Sequence, residues 1–393
     1  MNEAPSQALA IRALHDWLID EAGFLDRTGL VLEGLCTRLL AAGLPLVRAT
    51  AHLRVLHSER IGLTDVWRRG QVTRELTFGF GSEVEVIYRR SPIRVVHETK
   101  QRMELRPAEP DAAAYGITAD LQAAGVTHYI AFPLQFTGGH LNVVTFATDR
   151  AEGFQPPDLA LIEELLPALA RVMELKGLLR SRRELLQIYV GRLPAERILD
   201  GQIRRGDVVE TQAAILLCDL RGSTQLAIDL EESVHVRTLN RFFDCVVPAI
   251  TLQGGEILKF IGDAVLAIFA PARAGDRSHC DQALAAAEAI FVALREANAK
   301  HVLPSGPLRV AIGLHEGRLA FGNVGSVERQ DFTVIGPDVN LVARLCTLSA
   351  ELGEPLLTSE RFAAHAPASL RRIGEFPLKG FLVPQAIFAA SSA

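Results

Sequence analysis

Apolar positions repeat with two different periods along the chain, and the change of period divides it into three parts. Near the N-terminus they recur every three or four residues, as on one face of a helix, at Leu9, Ile11, Leu14, Trp17, Leu18, Leu30, Leu32, Leu35, Leu39 and Leu40. Strand-like runs follow over 49–56, 73–80, 93–96, 128–135 and 142–147. Gly138-Gly139 predicts a hairpin turn between the last two runs. Helices followed by a mostly antiparallel sheet predict an α+β domain over residues 1–155.

A long helix is predicted next, over about residues 157–190, inside a connecting segment 156–207. Pro156-Pro157-Asp158 is typical of a helix start. Apolar residues then recur at spacings of three, four and seven, at Ile162, Leu165, Leu169, Val172, Leu179 and Leu186. This spacing favours a parallel coiled coil between two subunits. Lys176 and Arg183 interrupt the repeat, and a helix that packs on its own domain is the alternative. Residues 193–206 predict a linker.

Short apolar strands alternate with helices in the third part, which covers residues 208–393. The strands are predicted over 213–218, 256–261, 264–269 and 308–315, and the helices over 234–252, 281–299 and 339–350. This order predicts an α/β domain with one mixed sheet.

Composition narrows the possible functions. Of the 393 residues, 49% are hydrophobic and 22% are charged, which indicates a folded chain, and the net charge of -5 gives no electrostatic reason to expect nucleic acid as a partner. No stretch has the 18 or so apolar residues of a membrane span, and the polar N-terminus does not resemble a signal peptide. The five cysteines, Cys36, Cys218, Cys245, Cys280 and Cys346, are scattered without a CxxC pair. That spacing argues against disulfides or zinc and fits a reducing cytoplasm.

Two aspartates stand at the ends of predicted buried strands. Asp219 follows an apolar run, and Asp263 precedes another. A carboxylate in such a place is costly unless it is paired or bound to a metal, and a divalent cation relieves the repulsion between two of them. Few carboxylates combined with substrate phosphates are typical of Mg²⁺ sites. The alternative is that each aspartate caps a helix or a turn.

Two further segments carry candidate phosphate ligands. Gly222-Ser223-Thr224 form a turn before a predicted helix, where free backbone N–H groups can bind phosphate. Asn340 and Arg344 are four residues apart and share one face of a predicted helix. An asparagine amide can orient a sugar oxygen, and arginine presents several donors to a phosphoryl group. A solvated polar face is the alternative.

Taken together, these segments resemble the catalytic domain of class III nucleotide cyclases over about residues 209–388. The resemblance rests on the order and spacing of five motifs: LCD219LRGST, G254GEILK259FIGD263A, G313LHEG317, G322NVGS326 and D331FTVIG336 with its continuation through Asn340 to Arg344. It implies a ferredoxin-like core with a mixed sheet and flanking helices. Gly254-Gly255-Glu256-Ile257 resembles the signature of diguanylate cyclases only in part, because the acidic pair of that signature is absent.

The resemblance also implies a role for each matching residue. Asp219 and Asp263 would bind two Mg²⁺ or Mn²⁺ ions, and Lys259 and Thr333 would read the adenine edge. Asn340 would orient the ribose, and Arg344 would stabilise charge on the reacting phosphate. The remaining triphosphate contacts would come from Gly222, Ser223, Thr224, Lys379 and Arg318.

The activity implied is that of an adenylate cyclase, which converts ATP to 3′,5′-cyclic AMP and pyrophosphate. Because the family takes the metal carboxylates from one subunit and the base-, ribose- and phosphate-binding residues from the other, a symmetric homodimer is expected. A hydroxyl group can donate or accept a hydrogen bond, so a guanylate cyclase remains an alternative. A catalytically silent nucleotide-binding regulator is a second alternative.

The N-terminal part resembles a GAF-type sensor domain in architecture, and a PAS-like or unclassified α+β domain is the alternative. Its regulator, a small molecule or a protein, is not identified by any motif. Five residues are candidates for a ligand pocket or, alternatively, for the core: Trp67, Phe78, Phe80, Tyr88 and His128.

Overall fold

Two β-sheets organise the chain, and each belongs to a separate unit, Met1–Leu185 or Leu186–Ala393. The structure, a computed structural model, describes residues 4–271, 273, 278–300, 306–366 and 369–390. None of the helices in those ranges is long and apolar enough to cross a membrane.

The first unit contains six helices and six strands in its described residues. In chain order they are α1 (Ala4–Asp20), α2 (Thr28–Ala41), β1 (Leu46–Arg54), β2 (Arg60–Arg68), β3 (Arg74–Gly79), α3 (Ser82–Arg89), α4 (Pro92–Thr99), β4 (Met103–Leu105), α5 (Thr118–Ala123), β5 (His128–Gln135), β6 (Leu141–Thr148) and α6 (Pro156–Val190). Short 3-10 helices occupy Ala22–Phe24 and Pro110–Ala114.

The sheet of the first unit has the order β3-β2-β1-β6-β5-β4, and all its neighbours are antiparallel. Side chains alternate between its two faces. One face packs against α1, α2 and α6, with Ala51, Phe132 and Val144 in that core. On the other face, Ala131 and Val143 pack against α4 and α5. The predicted α+β order of helices and antiparallel strands is therefore observed in this unit.

Two predicted elements of the N-terminal half are wrong. Residues 93–96 were expected in a strand, but they lie in helix α4. Ser91 caps this helix, because its Oγ accepts a hydrogen bond from the Ile93 N–H at 3.1 Å, and Pro92 occupies the first turn. Residues 193–206 were expected to be a linker, but Arg192–Leu199 form a helix, α7.

The predicted pocket residues separate into two groups. Phe78, Phe80 and Tyr88 line one cavity. Trp67 is buried in the core against α1 and α2, and His128 is buried where its Nδ1 accepts from the Phe154 N–H at 3.2 Å. The core alternative therefore holds for those two residues.

After α7, the second unit continues with β7 (Val208–Leu220), α8 (Ser223–Asp229), α9 (Glu232–Leu252), β8 (Glu256–Ile261), β9 (Ala264–Phe269), α10 (Ser278–Lys300), β10 (Val310–Gly325), β11 (Gln330–Ile335), α11 (Pro337–Leu352), β12 (Leu356–Ser359), α12 (Glu360–Ala363), β13 (Leu370–Phe376) and β14 (Gln385–Ala390). Its sheet has the order β13-β14-β12-β10-β7-β9-β8, with β11 paired to β10. The sheet is mixed, as predicted, because β12 runs parallel to β10 whereas β7 runs antiparallel to it.

The central strand β7 is covered on both faces. Leu216 and Cys218 pack in the core that α9 and α10 complete, and Ile215 and Leu217 pack on the α11 side. Double coverage explains why this strand is a continuous apolar run instead of an alternating one.

A buried acid in the first unit generates a test of stability against pH. Asp65 lies on β2 with 2% of its surface exposed, and burial raises its pKa to about 6 from 3.8. Because the folded-state pKa is raised, the unfolding free energy falls as pH rises from about 4 to about 6. We expect Asp65→Asn to abolish this fall and to add about 2–3 kcal/mol at pH 7.5.

Urea denaturation of the full chain at pH 4.5 and pH 7.5 measures this difference. Asp26→Asn, which neutralises an exposed acid, serves as the matched control. An equal effect of Asp65→Asn at both pH values would contradict the electrostatic explanation.

A close backbone approach in the second unit gives another prediction. A Cβ at Gly313 of β10 would lie 2.7 Å from the Val342 carbonyl oxygen and 3.2 Å from the Cys346 nitrogen, both on α11. The backbone of a packed helix can move away from a new methyl group only at a cost in free energy. Gly313→Ala should therefore lower the unfolding free energy by roughly 1–3 kcal/mol. Gly177→Ala is the control, because a Cβ there meets nothing within 4 Å. Thermal denaturation in which both variants unfold at the wild-type midpoint would disprove the predicted clash.

Candidate active site

Two aspartates meet at the ends of adjacent strands. Asp219 lies near the end of β7 and pairs across the ladder with Ala264, the first residue of β9. Asp263 occupies the turn between β8 and β9, next to Gly262, whose φ of 63° favours glycine. The register of β7 against β9 therefore places Asp263 beside Asp219, as the sequence predicted for two carboxylates on neighbouring strands.

The electrostatics of this pair favour a bound cation. Burial raises the pKa of Asp219 to about 6, and the charge of Asp263 beside it acts in the same direction. Two carboxylates that share a half-buried site repel each other, and a divalent cation removes that repulsion. No group of three or more His, Cys, Asp or Glu side chains among the described residues forms a metal-binding cluster. A donor set of two carboxylates fits Mg²⁺, whose other ligands are waters and substrate phosphates.

Lys259 and Thr333 are brought into contact, although their strands β8 and β11 are not paired in the sheet. The Lys259 Nζ donates to the Thr333 Oγ1 at 3.3 Å and to the Asp331 Oδ2 at 2.7 Å. Asp331 was quoted within a motif but received no role from the sequence. It lies two residues before Thr333 on β11, and that spacing, which puts both side chains on one face, was the available signal.

Helix α11 presents Asn340 and Arg344 from one side. Asn340 is exposed and Arg344 is half-buried, while Leu341, Val342 and Leu345 are buried beneath the helix. The buried Nε of Arg344 has no hydrogen-bond partner among the described residues. Because an unsatisfied buried donor is costly, an acceptor from a ligand would stabilise this side chain.

Side chains that the sequence did not single out fix both ends of α11. At its start, the Asp338 Oδ2 accepts from the Arg318 N–H at 2.7 Å, and the Asp338 Oδ1 lies 3.4 Å from the His315 Nε2. At its end, the Arg221 Nη2 donates to the carbonyls of Ser349 at 2.6 Å and Glu354 at 3.1 Å. Arg318, proposed from sequence as a phosphate ligand, thus contacts Asp338 through its backbone, and its side chain is exposed.

The remaining candidates lie on exposed turns. Gly222, with φ of 76°, precedes α8, and Ser223 and Thr224 are its first residues. Lys379 is exposed in the turn between β13 and β14, and no described residue forms an ion pair with it within 4.0 Å. The structure therefore leaves these groups accessible without joining them to the others.

The candidate residues thus form separate groups on one chain. In the described ranges, no hydrogen bond or ion pair connects the Asp219–Asp263 pair with Lys259, Asn340 or Arg344.

Known proteins resemble part of this chain. An uncharacterised protein of Mycobacterium tuberculosis (strain CDC 1551) is 40% identical over 181 residues, which cover 44% of this chain and 31% of that protein. An adenylate cyclase of Anabaena cylindrica is 35% identical over 163 residues, which cover 40% of this chain and 31% of that protein. The chain spans about a third of the length of the curated relatives that it matches.

Solved structures and a family description also match part of the chain. The adenylyl cyclase CyaB from P. aeruginosa is 26% identical, with a TM-score of 0.41, over 48% of this chain and 97% of that chain. The guanylyl cyclase Cya2 is 30% identical, with a TM-score of 0.40, over 48% of this chain and 94% of that chain. Residues 209–363 match the adenylate and guanylate cyclase catalytic domain. This match spans the part of the chain that holds the candidate residues from Asp219 to Arg344.

Proposed function

We propose that this chain is an adenylate cyclase, which converts ATP to 3′,5′-cyclic AMP and pyrophosphate. The observation that carries the proposal is the pairing of Asp219 with Asp263 at adjacent strand ends, where burial and mutual repulsion raise the pKa of Asp219 to about 6. Such a pair is ready to bind cations that accompany a triphosphate. When bound there, two Mg²⁺ or Mn²⁺ ions supply activation of the ribose 3′-hydroxyl and neutralisation of the leaving pyrophosphate.

The residues of α11 account for the geometry of the reaction. Asn340 orients the ribose, so that its 3′-oxygen attacks the α-phosphorus in line with the bond to the leaving pyrophosphate. Arg344, whose buried Nε has no protein partner among the described residues, donates to the oxygens of the α-phosphate as charge builds there. The 3′-hydroxyl gives its proton to solvent water, the O3′–P bond forms, and the bond from the α-phosphorus to pyrophosphate breaks.

Adenine is favoured by the hydrogen-bonding groups around Lys259. Its Nζ donates to a ring nitrogen, and the Thr333 Oγ1 accepts from the exocyclic amine. Asp331, within 2.7 Å of the same Nζ, adds an acceptor beside Thr333, which favours an amine over the carbonyl that guanine presents at that position. The relative from Anabaena cylindrica, named as an adenylate cyclase, agrees with this choice.

A symmetric homodimer with two composite sites is the proposed active form. Its support is that, among the described residues, no hydrogen bond or ion pair joins the carboxylates of Asp219 and Asp263 to Lys259, Asn340 or Arg344. A partner copy would complete each site by facing its α11 and Lys259 toward the carboxylates of the first copy, and a twofold axis would generate the second site.

Cyclic nucleotide production by the purified full chain tests this function. With ATP and Mg²⁺ or Mn²⁺ we expect cyclic AMP, and we expect Asp263→Ala to abolish it because a metal ligand is lost. Arg344→Ala should lower kcat on the order of 10²–10³-fold. Asp244→Ala, which removes an exposed acid of α9, should retain full activity. Cyclic GMP from GTP would indicate the guanylate cyclase alternative, and no product from a confirmed dimer would indicate a silent regulator.

We further propose that the first unit is a GAF-like sensor and that α6 transmits its signal. The support is an ion-pair network on one side of the sheet. The Arg180 guanidinium of α6 donates to both carboxylate oxygens of Glu75 on β3, at 2.5 and 2.9 Å, and its Nε donates to Glu184 at 2.8 Å. Movement of β3 would therefore be transferred to the helix, which continues to Val190.

Substitution of Arg180 tests this connection. Arg180→Gln should change basal cyclic AMP production at least twofold, because β3 and α6 would no longer be held together. Arg182→Gln, at an exposed position of the same helix, is the matched control. Unchanged activity of Arg180→Gln, with an unchanged far-UV circular dichroism spectrum, would disprove the role of this contact.

A further inference from the structure

The first unit contains a cavity of about 720 Å³ beside β1 and β2, with α3 and α4 as its other walls. This volume lies in the range of cavities that bind small organic molecules. Strand β3 contributes Phe78, and the loop after it contributes Phe80. No residue of this cavity belongs to the candidate active site.

The walls of the cavity are mostly apolar, and several of them are unusually exposed. Ile61, Val84, Ile93 and Leu141 line it together with three aromatic rings, those of Phe78, Phe80 and Tyr88. Phe80 is 68% exposed, and Ile87, which faces the same space, is 61% exposed. Helix α3 has no buried residue, so the described protein offers it no apolar core to pack against. A bound apolar molecule would bury these side chains and support α3.

The floor of the cavity is polar but carries no charge. The His52 Nε2 is hydrogen-bonded to the Thr50 Oγ1 at 2.8 Å, and its Nδ1 to the Thr64 Oγ1 at 2.9 Å. These hydroxyl partners hold the ring between two fixed groups, and burial lowers its pKa to about 3, so the ring is neutral. A second polar group lies at the rim, where the Tyr88 OH and the His97 Nδ1 are 3.0 Å apart.

The charge of the lining excludes a phosphorylated ligand. Among the described lining residues, Arg54 is the one permanent cation, and it is exposed at the end of β1. The acid on the wall, Glu85, is paired with Arg89. A nucleotide would bring at least one negative charge to a cavity whose one permanent cation among the described lining residues is exposed, and transfer of an unpaired charge from water is costly.

We propose that this cavity binds a neutral, aromatic small molecule with a single hydrogen-bonding group, and not a nucleotide. The rings of Phe78, Phe80 and Tyr88 provide surfaces for edge or offset contacts with a flat ligand. The hydroxyl and imidazole groups of Thr64, Tyr88 and His97 provide the polar contacts that orient it. The ligand thus meets an apolar wall and one polar side.

Binding of the neutral fluorescent probe N-phenyl-1-naphthylamine to the full chain tests this proposal. We expect saturable binding with one site per chain. Ile87→Glu should weaken it at least tenfold, because it places a carboxylate on the cavity wall. Val86→Glu makes the same change on the same helix at 60% exposure, outside the lining, and should keep the affinity within twofold. Both positions are exposed, so the fold should survive, as circular dichroism can check.

Four results would overturn the proposal. The first is non-saturable probe binding, and the second is an equal loss of affinity in both variants. The third is displacement of the probe by cyclic AMP or cyclic GMP at micromolar concentration, which would identify a nucleotide site. If Ile87→Glu instead dissociates a dimer in sedimentation velocity without changing probe binding, the exposed face is an interface between copies and the proposal is also wrong. None of these readouts depends on cyclase activity, so they leave the proposed reaction untouched.

Discussion

The antiparallel pairing of β7 with β10 is the constraint on which the second unit depends. The ladder runs from Leu220 opposite Val310 to Val208 opposite Gly322, and both strands are buried in the centre of the sheet. The register of a strand that is buried on both faces cannot shift without exposing apolar residues. This register therefore determines the position of Asp219 at the end of β7. The neighbouring ladder with β9 then determines where Asp263 lies, and Gly313 lets α11 approach β10 closely.

The candidate residues of the second unit include two groups that are costly to bury. Asp219 and Asp263 concentrate negative charge, whereas Arg344 carries a buried donor without an acceptor among the described residues. Each arrangement is costly by itself, and protein stability tolerates only a few such sites. A triphosphate with its metal ions would satisfy both groups, the first with cations and the second with phosphate oxygens.

The sheet of the first unit is covered over most of its surface but leaves apolar side chains exposed in one place. It is covered on one face by α1, α2 and α6 and on the other by α4 and α5. Beside β1 and β2, however, apolar side chains remain exposed around a neutral polar floor. On the opposite side of the same sheet, Glu75 of β3 is tied to Arg180 of α6. One strand, β3, therefore borders both the cavity and α6.

The sequence by itself determined the long helix, the two central aspartates and the strand over His128–Gln135, because these features depend on local periodicity and on residue types next to each other in the chain. It also supplied Lys259 and Thr333 through the family motifs. Only the tertiary structure decided that residues 93–96 are helical, since the Ser91 cap outweighs their β-branched composition. It likewise decided that Trp67 belongs to the core and that the Lys259 Nζ donates to Asp331 as well as to Thr333. Burial and pairing across distant strands depend on contacts that no local pattern specifies.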